Sequence, residues 1–367
     1  MQTLLRRAAR ALTRHIDGVL LLAVLLLMAT GLVVMWSASN GSFSRTSGQM
    51  VNMLVALTVM WVFANVPPQV LLRLALPLFT VGVGLLLCVA LFGEVINGAR
   101  RWLDTGITRI QPSELMRIAA PMALAWYFNR HEGSLRLRHF GIAALMLAIP
   151  AVLILRQPDL GTALLISASG AYLIFLAGLP WRVIIALGVV AAASAPFLWS
   201  AMHDYQRQRV LTLIDPGADP LGSGYHTIQS TIAVGSGGVL GKGWMNGTQT
   251  HLDFIPERTT DFIFAVYSEE FGLLGNLVLL ALLLLVIARA MMVAANAPSL
   301  FTRLLAGSIA MTFCTYAFVN MGMVSGILPV VGVPLPLISY GGTSLVSICI
   351  SFGILMSIHT HKKLVQT

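Results

Sequence analysis

Ten long apolar runs decide what this chain can fold into. They fall at roughly 17–37, 47–65, 70–92, 112–129, 139–156, 160–178, 182–201, 261–290, 303–327 and 340–359. Each approaches the ~20 residues that an α-helix needs to cross a hydrocarbon layer, where the backbone must satisfy its own hydrogen bonds. Only 10% of residues are charged and 57% are hydrophobic, whereas a soluble domain carries about 25% charged residues. The pattern predicts an all-α, polytopic membrane protein with about ten transmembrane helices. Residues 1–367 form a single membrane domain, and about 201–260 form a long extracytoplasmic loop before the eighth span.

Charge orients the chain. With cytoplasmic termini, the inner segments hold Arg6, Arg7, Arg10, Arg14, Arg73, Arg130, Arg136, Arg138, Arg182, Arg289, Arg303, Lys362 and Lys363, and only Asp17 and Glu132 as acids. That is the Lys/Arg bias of cytoplasmic loops, so the net charge of +9 reads as topology, and no nucleic-acid partner is expected. The apolar run from Gly18 to Trp36 is long enough to span, which favours a retained first helix over a cleaved signal segment. Arg100, Arg101, Arg109, Arg156, Arg207, Arg209, Lys242 and Arg258 fall in outer loops against the bias. They fit either an anionic ligand such as a phosphate or pairing with the outer acids.

Other chemistry is thinly represented. Cys88, Cys314 and Cys349 all lie in apolar runs, which argues against disulfides or a thiolate metal site and makes them core residues. The eight histidines show no HExxH-type spacing. The outer connection before residue 261 is rich in glycine, which lets a backbone approach a ligand closely and turn N–H groups towards an anion.

Three stretches concentrate polar residues at the edge of apolar runs. In Gln111-Pro112-Ser113-Glu114, Pro112 suits a helix start and Glu114 the first turn, with Arg117 on the same face. A helix-start ion pair and a substrate site both account for these residues. Asp159 opens the sixth span as a cap would, and Trp102 has the place of an interfacial anchor. Asp261 opens the eighth span, with Thr259 and Thr260 as alternative caps. Glu257, Arg258, Glu269 and Glu270 surround it in sequence, and so many ionisable groups entering one span mark a polar cavity. From Asn320 to Ser344, Gly and Pro residues interrupt apolar sequence, and irregular backbone at that depth must line protein or a wet cavity, so it belongs to the same cavity.

On these motifs the whole chain resembles the SEDS family (shape, elongation, division and sporulation proteins). The segment 320–344, the run Phe254-Ile-Pro-Glu-Arg-Thr-Thr-Asp261-Phe-Ile-Phe264 and Gln111–Glu114 carry the likeness. Arg258 after Pro-Glu, with Gly241-Lys242-Gly243-Trp244 upstream, resembles the elongation members more than the division members.

The resemblance implies a glycosyltransferase that polymerises lipid II into peptidoglycan on the outer face of the cytoplasmic membrane, during elongation and rod-shape maintenance. It implies undecaprenyl-pyrophosphate-linked glycan as donor, a class B penicillin-binding protein as transpeptidase partner, and other elongation-complex proteins. It places the catalytic acid on Asp261, and functional positions on Glu114, Trp102 and Asp159. Arg101, Arg109, Gln111, Arg117, Lys242, Glu257, Arg258, Thr260 and Ser339 complete the candidate substrate-binding set. Arg117 stands where the family has Lys, and Thr259 where it has His, which leaves Asp261 without that histidine.

The chemistry would be inverting, α-linked pyrophosphate to β-1,4 linkage, with Asp261 either as base or as a ligand of a divalent cation (Mg or Mn). Lys242, Arg258, Arg100, Arg101 and Arg109 are candidates to neutralise the leaving pyrophosphate. A lipid II flippase is the rival, since a polar cavity also suits transport.

Overall fold

A computed structural model describes residues 14–361 except 97–98, 105–108, 203, 221–223, 253 and 256. Each of the ten apolar runs forms a helix. These are α1 (Gly18–Ala38), α2 (Phe43–Ala64), α3 (Pro68–Phe92), α4 (Pro112–Arg130), α5 (Leu137–Leu155), α6 (Leu160–Leu176), α7 (Trp181–Ala201), α11 (Ile263–Ala295), α12 (Leu300–Val324) and α13 (Gly342–Thr360). Seven of them are long and apolar enough to cross a membrane, α6 and α7 are shorter apolar helices, and α4 is less apolar. The chain is thus a polytopic, nearly all-helical membrane protein.

It is not wholly α. The connection before α4 forms β1 (Glu94–Ile96), β2 (Ala99–Asp104) and β3 (Arg109–Ile110), an antiparallel order β1-β2-β3. The stretch 201–260 holds α8 (Asp204–Ile214), α9 (Tyr225–Ser236) and the single turn α10 (Thr248–His251). Because α9 packs on α11 and α12, this connection belongs to the bundle.

Packing is layered around α12, which contacts α4, α6, α9, α11 and α13. Its small residues Ala306, Gly307, Ser308 and Ala310 are buried, allowing close approach. Helix α1 packs on α11, and α2 on α13. Cys349 is buried in this core, but Cys88 on α3 faces outward, because a thiol meets no penalty against an apolar surround.

The two ends of the bundle differ. At one, Asp17 caps α1, accepting from Val19 and Leu20 N–H, and pairs with Arg289 of α11 at 2.8 Å. His359 of α13 lies 3.8 Å from the same carboxylate, so the first and last described helices meet at this end. At the other, the end of α1 meets the turn before α11 and the start of α13.

Helix α11 is broken. Gly272 has φ 63° and ψ −160°, which separates a nine-residue entry segment from the long rod beyond. The groups this break orphans are satisfied by the glycine-rich loop. Leu273 and Leu274 N–H donate to Gly238 O and Val239 O, while Lys242 and Gly243 N–H donate to Glu269 O and Glu270 O. A Cβ at Gly237 or Gly241 would lie 2.1 Å from the carbonyl oxygens of Ser268 and Glu270. These glycines therefore permit approach to the helix backbone, and the loop packs on α11 where a ligand-facing loop was expected.

Candidate active site

Asp261 lies in the turn that precedes α11. Neither Thr259 nor Thr260 caps that helix; Phe262 takes the cap position and provides no side-chain hydrogen bond. The turn closes through Thr260 N–H and Phe262 N–H, both donating to Glu257 O, with Glu257 at φ 52°. The Thr260 hydroxyl donates to Glu257 Oε2 at 2.8 Å.

The backbone of this turn is clamped by the Gly/Pro-interrupted segment. Ser339 Oγ donates to Thr260 O at 2.7 Å, and Tyr340 N–H to Thr259 O at 2.9 Å. Asn320 Nδ2 donates both to Asp261 O at 2.8 Å and to Val333 O at 2.7 Å. Gln49 Nε2 secures Ser339 O from α2. Ser339 and Asn320 thus hold main chain.

The Asp261 carboxyl is half-buried. It packs against Gly332, where an added Cβ would sit 3.3 Å from Oδ2. Burial, and then the Glu257 charge, push its pKa up to about 6. No cation neutralises it among the described residues, whereas Glu269 of α11 pairs with Lys242. His226 of α9 stacks on the neighbouring Phe262 at 5.6 Å, and its pKa is lowered by burial against the opposing pull of Glu257.

The turn leading into Asp261 lines a cavity of about 520 Å³, together with Arg45, Ile255 and Tyr340; Glu257, Arg258, Thr259 and Thr260 form its wall, and Asp261 itself follows that wall by one residue. Arg45 is exposed at the start of α2. The sequence reading passed over Arg45, although as an outer-loop cation against the topological bias it carried the same signal as its neighbours. His226 was missed as well, for it comes near only through the fold, whereas Tyr340 lies in the 320–344 segment expected at this cavity.

The glutamates further along α11 do not join this cavity. Glu269, 0% exposed, accepts from Lys242 Nζ at 2.7 Å, from Gln249 and Thr250 N–H, and from the hydroxyls of Thr248 and Thr250. It fastens the start of α10, and Lys242 is committed to it. Glu270 accepts from the Ser37 hydroxyl. Arg258 Nε donates to Ala38 O at 2.7 Å and its Nη1 to Thr250 O. Two expected site cations therefore hold the loop; Glu269 is a saturated anchor and Glu270 a half-satisfied one, where a polar cavity was expected.

A second polar cluster lies at the entrance of α4 and α6. Glu114 Oε2 accepts from Arg117 Nη1 at 2.9 Å and from Ser347 Oγ at 2.8 Å. Arg117 Nη2 reaches Thr162 Oγ1 at 3.0 Å, and the guanidinium lies 5.6 Å from the Tyr316 ring centre. Asp159 caps α6 through Thr162 N–H and accepts from Gln111 Nε2 at 3.4 Å. Arg101 donates to Gln157 O at 3.2 Å and to Pro158 O. Trp102 is half-buried on β2; Arg109 lies in β3, with its side chain outside the described residues.

The strap 331–333 separates the two clusters. Gly332 faces Asp261 on one side, while a Cβ at Gly161 would lie 2.9 Å from Val331 O on the other. The structure thus does not gather the expected residues into one site. Below Gln111 and Glu114 a groove of about 450 Å³ continues between α2, α4 and α13, walled by Val55, Leu115, Ile118, Val346 and Ile350. It is polar at its head and apolar along its length.

A membrane bundle with an unneutralised acid at the edge of an open cavity, and an apolar-walled groove across the strap, defines an integral membrane protein built to act at a lipid boundary. The chain matches the FtsW/RodA/SpoVE family, described as "Cell cycle protein", over residues 18–364 and belongs to that family. It is 49% identical to peptidoglycan glycosyltransferase MrdB of Escherichia coli K12, over 96% of this chain and 95% of that protein. It is 34% identical to the probable peptidoglycan glycosyltransferase FtsW of Coxiella burnetii, over 93% and 95%. Among solved structures it resembles Thermus thermophilus rod shape determining protein RodA, at TM-score 0.72 and 29% identity over 94% and 97% of the two chains. A chain solved in work on the structural coordination of polymerization and crosslinking by a peptidoglycan synthase complex matches at TM-score 0.83 and 34% identity, over 95% and 98%.

Proposed function

We propose that this protein is a peptidoglycan glycosyltransferase that polymerises lipid II at the outer face of the bacterial cytoplasmic membrane during cell elongation. The observation that carries the reading is the Asp261 carboxyl, left without a cation among the described residues, at the end of a main-chain-clamped turn that lines a cavity with room for a sugar.

Asp261 takes the proton from the acceptor's 4-hydroxyl as that oxygen attacks C1 of the donor sugar. The C1–O bond to pyrophosphate breaks with inversion, and undecaprenyl pyrophosphate leaves with the electron pair. Arg45 and Arg258 line the cavity that the leaving phosphates would enter, and Arg45 is exposed to meet them. The prenyl chain fits the groove below Gln111 and Glu114, where apolar walls replace bilayer contact and the polar head marks the depth of the headgroup. Glu114, Arg117 and Asp159 then face the substrate from the far side of the strap.

A divalent cation is compatible with this arrangement in one form. Among the described residues no three His, Cys, Asp or Glu side chains converge, so Asp261 and Glu257 would hold an ion whose remaining ligands are phosphate oxygens and water. Bound there, it would supply charge neutralisation at the leaving group. A class B penicillin-binding protein would crosslink the product, with other elongation-complex proteins around the pair.

The test is the pH dependence of polymer formation by the purified protein. Asp261 works as a base only when ionised, so turnover rises with pH through about 6 and levels off above. Glu257→Gln removes a negative neighbour and moves the midpoint to lower pH. A rate that ignores pH across this range, in both proteins, would exclude Asp261 as the base.

A further inference from the structure

We propose that Glu270 is a positioning residue for Asp261, acting with Ser37 and His251 through the guanidinium of Arg258. The inference rests on Asp261 being the reacting acid. Glu270 is 1% exposed in the entry segment of α11 and plays no part in the chemistry derived above. It accepts from the Ser37 hydroxyl at the end of α1 and from Met245 N–H in the glycine-rich loop. His251 at the end of α10 places Nε2 3.9 Å from its Oε1. The other imidazole nitrogen, Nδ1, sits 2.7 Å from Asn40 Oδ1 and is the donor there, since the amide oxygen can only accept.

Arg258 connects this cluster to the reacting turn. It grips two carbonyls, Ala38 O and Thr250 O. Ala38 adjoins Ser37, and Thr250 adjoins His251, so each carbonyl sits one residue from a side chain that meets Glu270. On its own side, Arg258 lies inside the turn closed onto Glu257 O and three residues before Asp261. Glu270 thereby bonds α1 and the glycine-rich loop to α11, with His251 of α10 in close approach, at the point where the arginine needs both acceptors at fixed separation.

The energetics favour a geometric role over a stabilising one. Glu270 Oε2 and His251 Nε2 are buried without a hydrogen-bond partner. A buried carboxylate left half-satisfied is costly, and an apolar side chain there would serve packing at least as well. What the acid adds is directionality: α1 and the glycine-rich loop are both bonded to one point on α11.

The experiment uses the full-length protein in lipid nanodiscs with lipid II, comparing Glu270→Ala, Glu270→Gln and Ser37→Ala with Arg258→Lys and Asp261→Asn. Displacing a reacting group by about 1 Å can cost about 10²-fold in rate. Glu270→Ala is therefore expected to lower kcat by that order while KM for lipid II stays within about two-fold, and Glu270→Gln, which keeps one acceptor, recovers part of the loss. Combined with Arg258→Lys, Glu270→Ala adds no further loss beyond the larger single effect, because both act through one linkage.

Wild-type kcat in the Glu270 variants, alongside an inactive Asp261→Asn, overturns this inference and leaves the function standing. Multiplying losses in the double variant overturn it as well. If Asp261→Asn is itself fully active, the functional reading falls first. Should the Glu270 variants fail to fold, Ser37→Ala, which deletes a single donor, must show the same kcat-only loss; a wild-type rate there refutes the proposal.

Discussion

Asp261→Asn is expected to reduce glycan polymerisation by roughly 10²–10⁴-fold, the range over which a positioned general base contributes. The substitution keeps the size of the side chain and its contact with Gly332. It leaves untouched the hydrogen bond from Asn320, which is made to the main-chain oxygen. The groove that would take the prenyl chain does not include this residue, so lipid II binding should persist. Loss of turnover with retained binding is the expected result, measured by polymer length on gels and by lipid II retention in nanodiscs. Equal polymer from both proteins would remove the residue from the mechanism.

Asn320→Ala is expected to have the next largest effect, and for a different reason. Asn320 is 0% exposed, and its amide serves Asp261 O and Val333 O together. Alanine leaves the buried Val333 carbonyl without that donor, at about 1–3 kcal/mol, and the part-buried Asp261 carbonyl as well, at less. The thermal midpoint should fall, and the turn carrying Asp261 should lose its register with the strap. Turnover should then fall by about 10²-fold, the scale of a misplaced reacting group. A variant that melts earlier but polymerises at the normal rate per folded molecule would show that Asn320 serves the fold alone.

What was legible in the sequence follows from which forces act locally. Lipid forces long apolar runs on any spanning helix, so all ten helices could be read from hydropathy, including the short α6 and α7. The Gly/Pro breakers of 320–344 pointed to irregular backbone covered by protein, and Asn320, Ser339 and Tyr340 do clamp the turn at Asp261. Asp159 and Glu114 both occupy helix starts, as their neighbours implied.

The illegible part is where a residue's partner comes from a distant segment. Glu269 and Glu270 look like cavity groups until the loop 237–251 folds back and supplies their donors. The same fold-back turns glycines that resemble an anion cradle into close backbone packing. Lys242 and Arg258 carry the right charge for phosphate, but the sequence cannot reveal that Glu269 and two carbonyls already hold them. The strap at Gly332 is a similar case, since only the fold shows that one residue divides the two acidic motifs.

The discontinuity at Gly272 has a mechanical meaning. The short entry piece of α11 is bolted to the loop through Glu269 and Glu270, while the rod after the break presents Leu273, Leu274, Leu277 and Val278 outward. Both sides of the break are tied to the same loop: Leu273 and Leu274 N–H donate to Gly238 O and Val239 O, and a Cβ at Gly272 would lie 2.3 Å from Gly241 N. The loop therefore acts as a splint, carrying across position 272 the main-chain hydrogen bonds that an unbroken helix would make for itself, so the entry piece and the rod are braced as one unit.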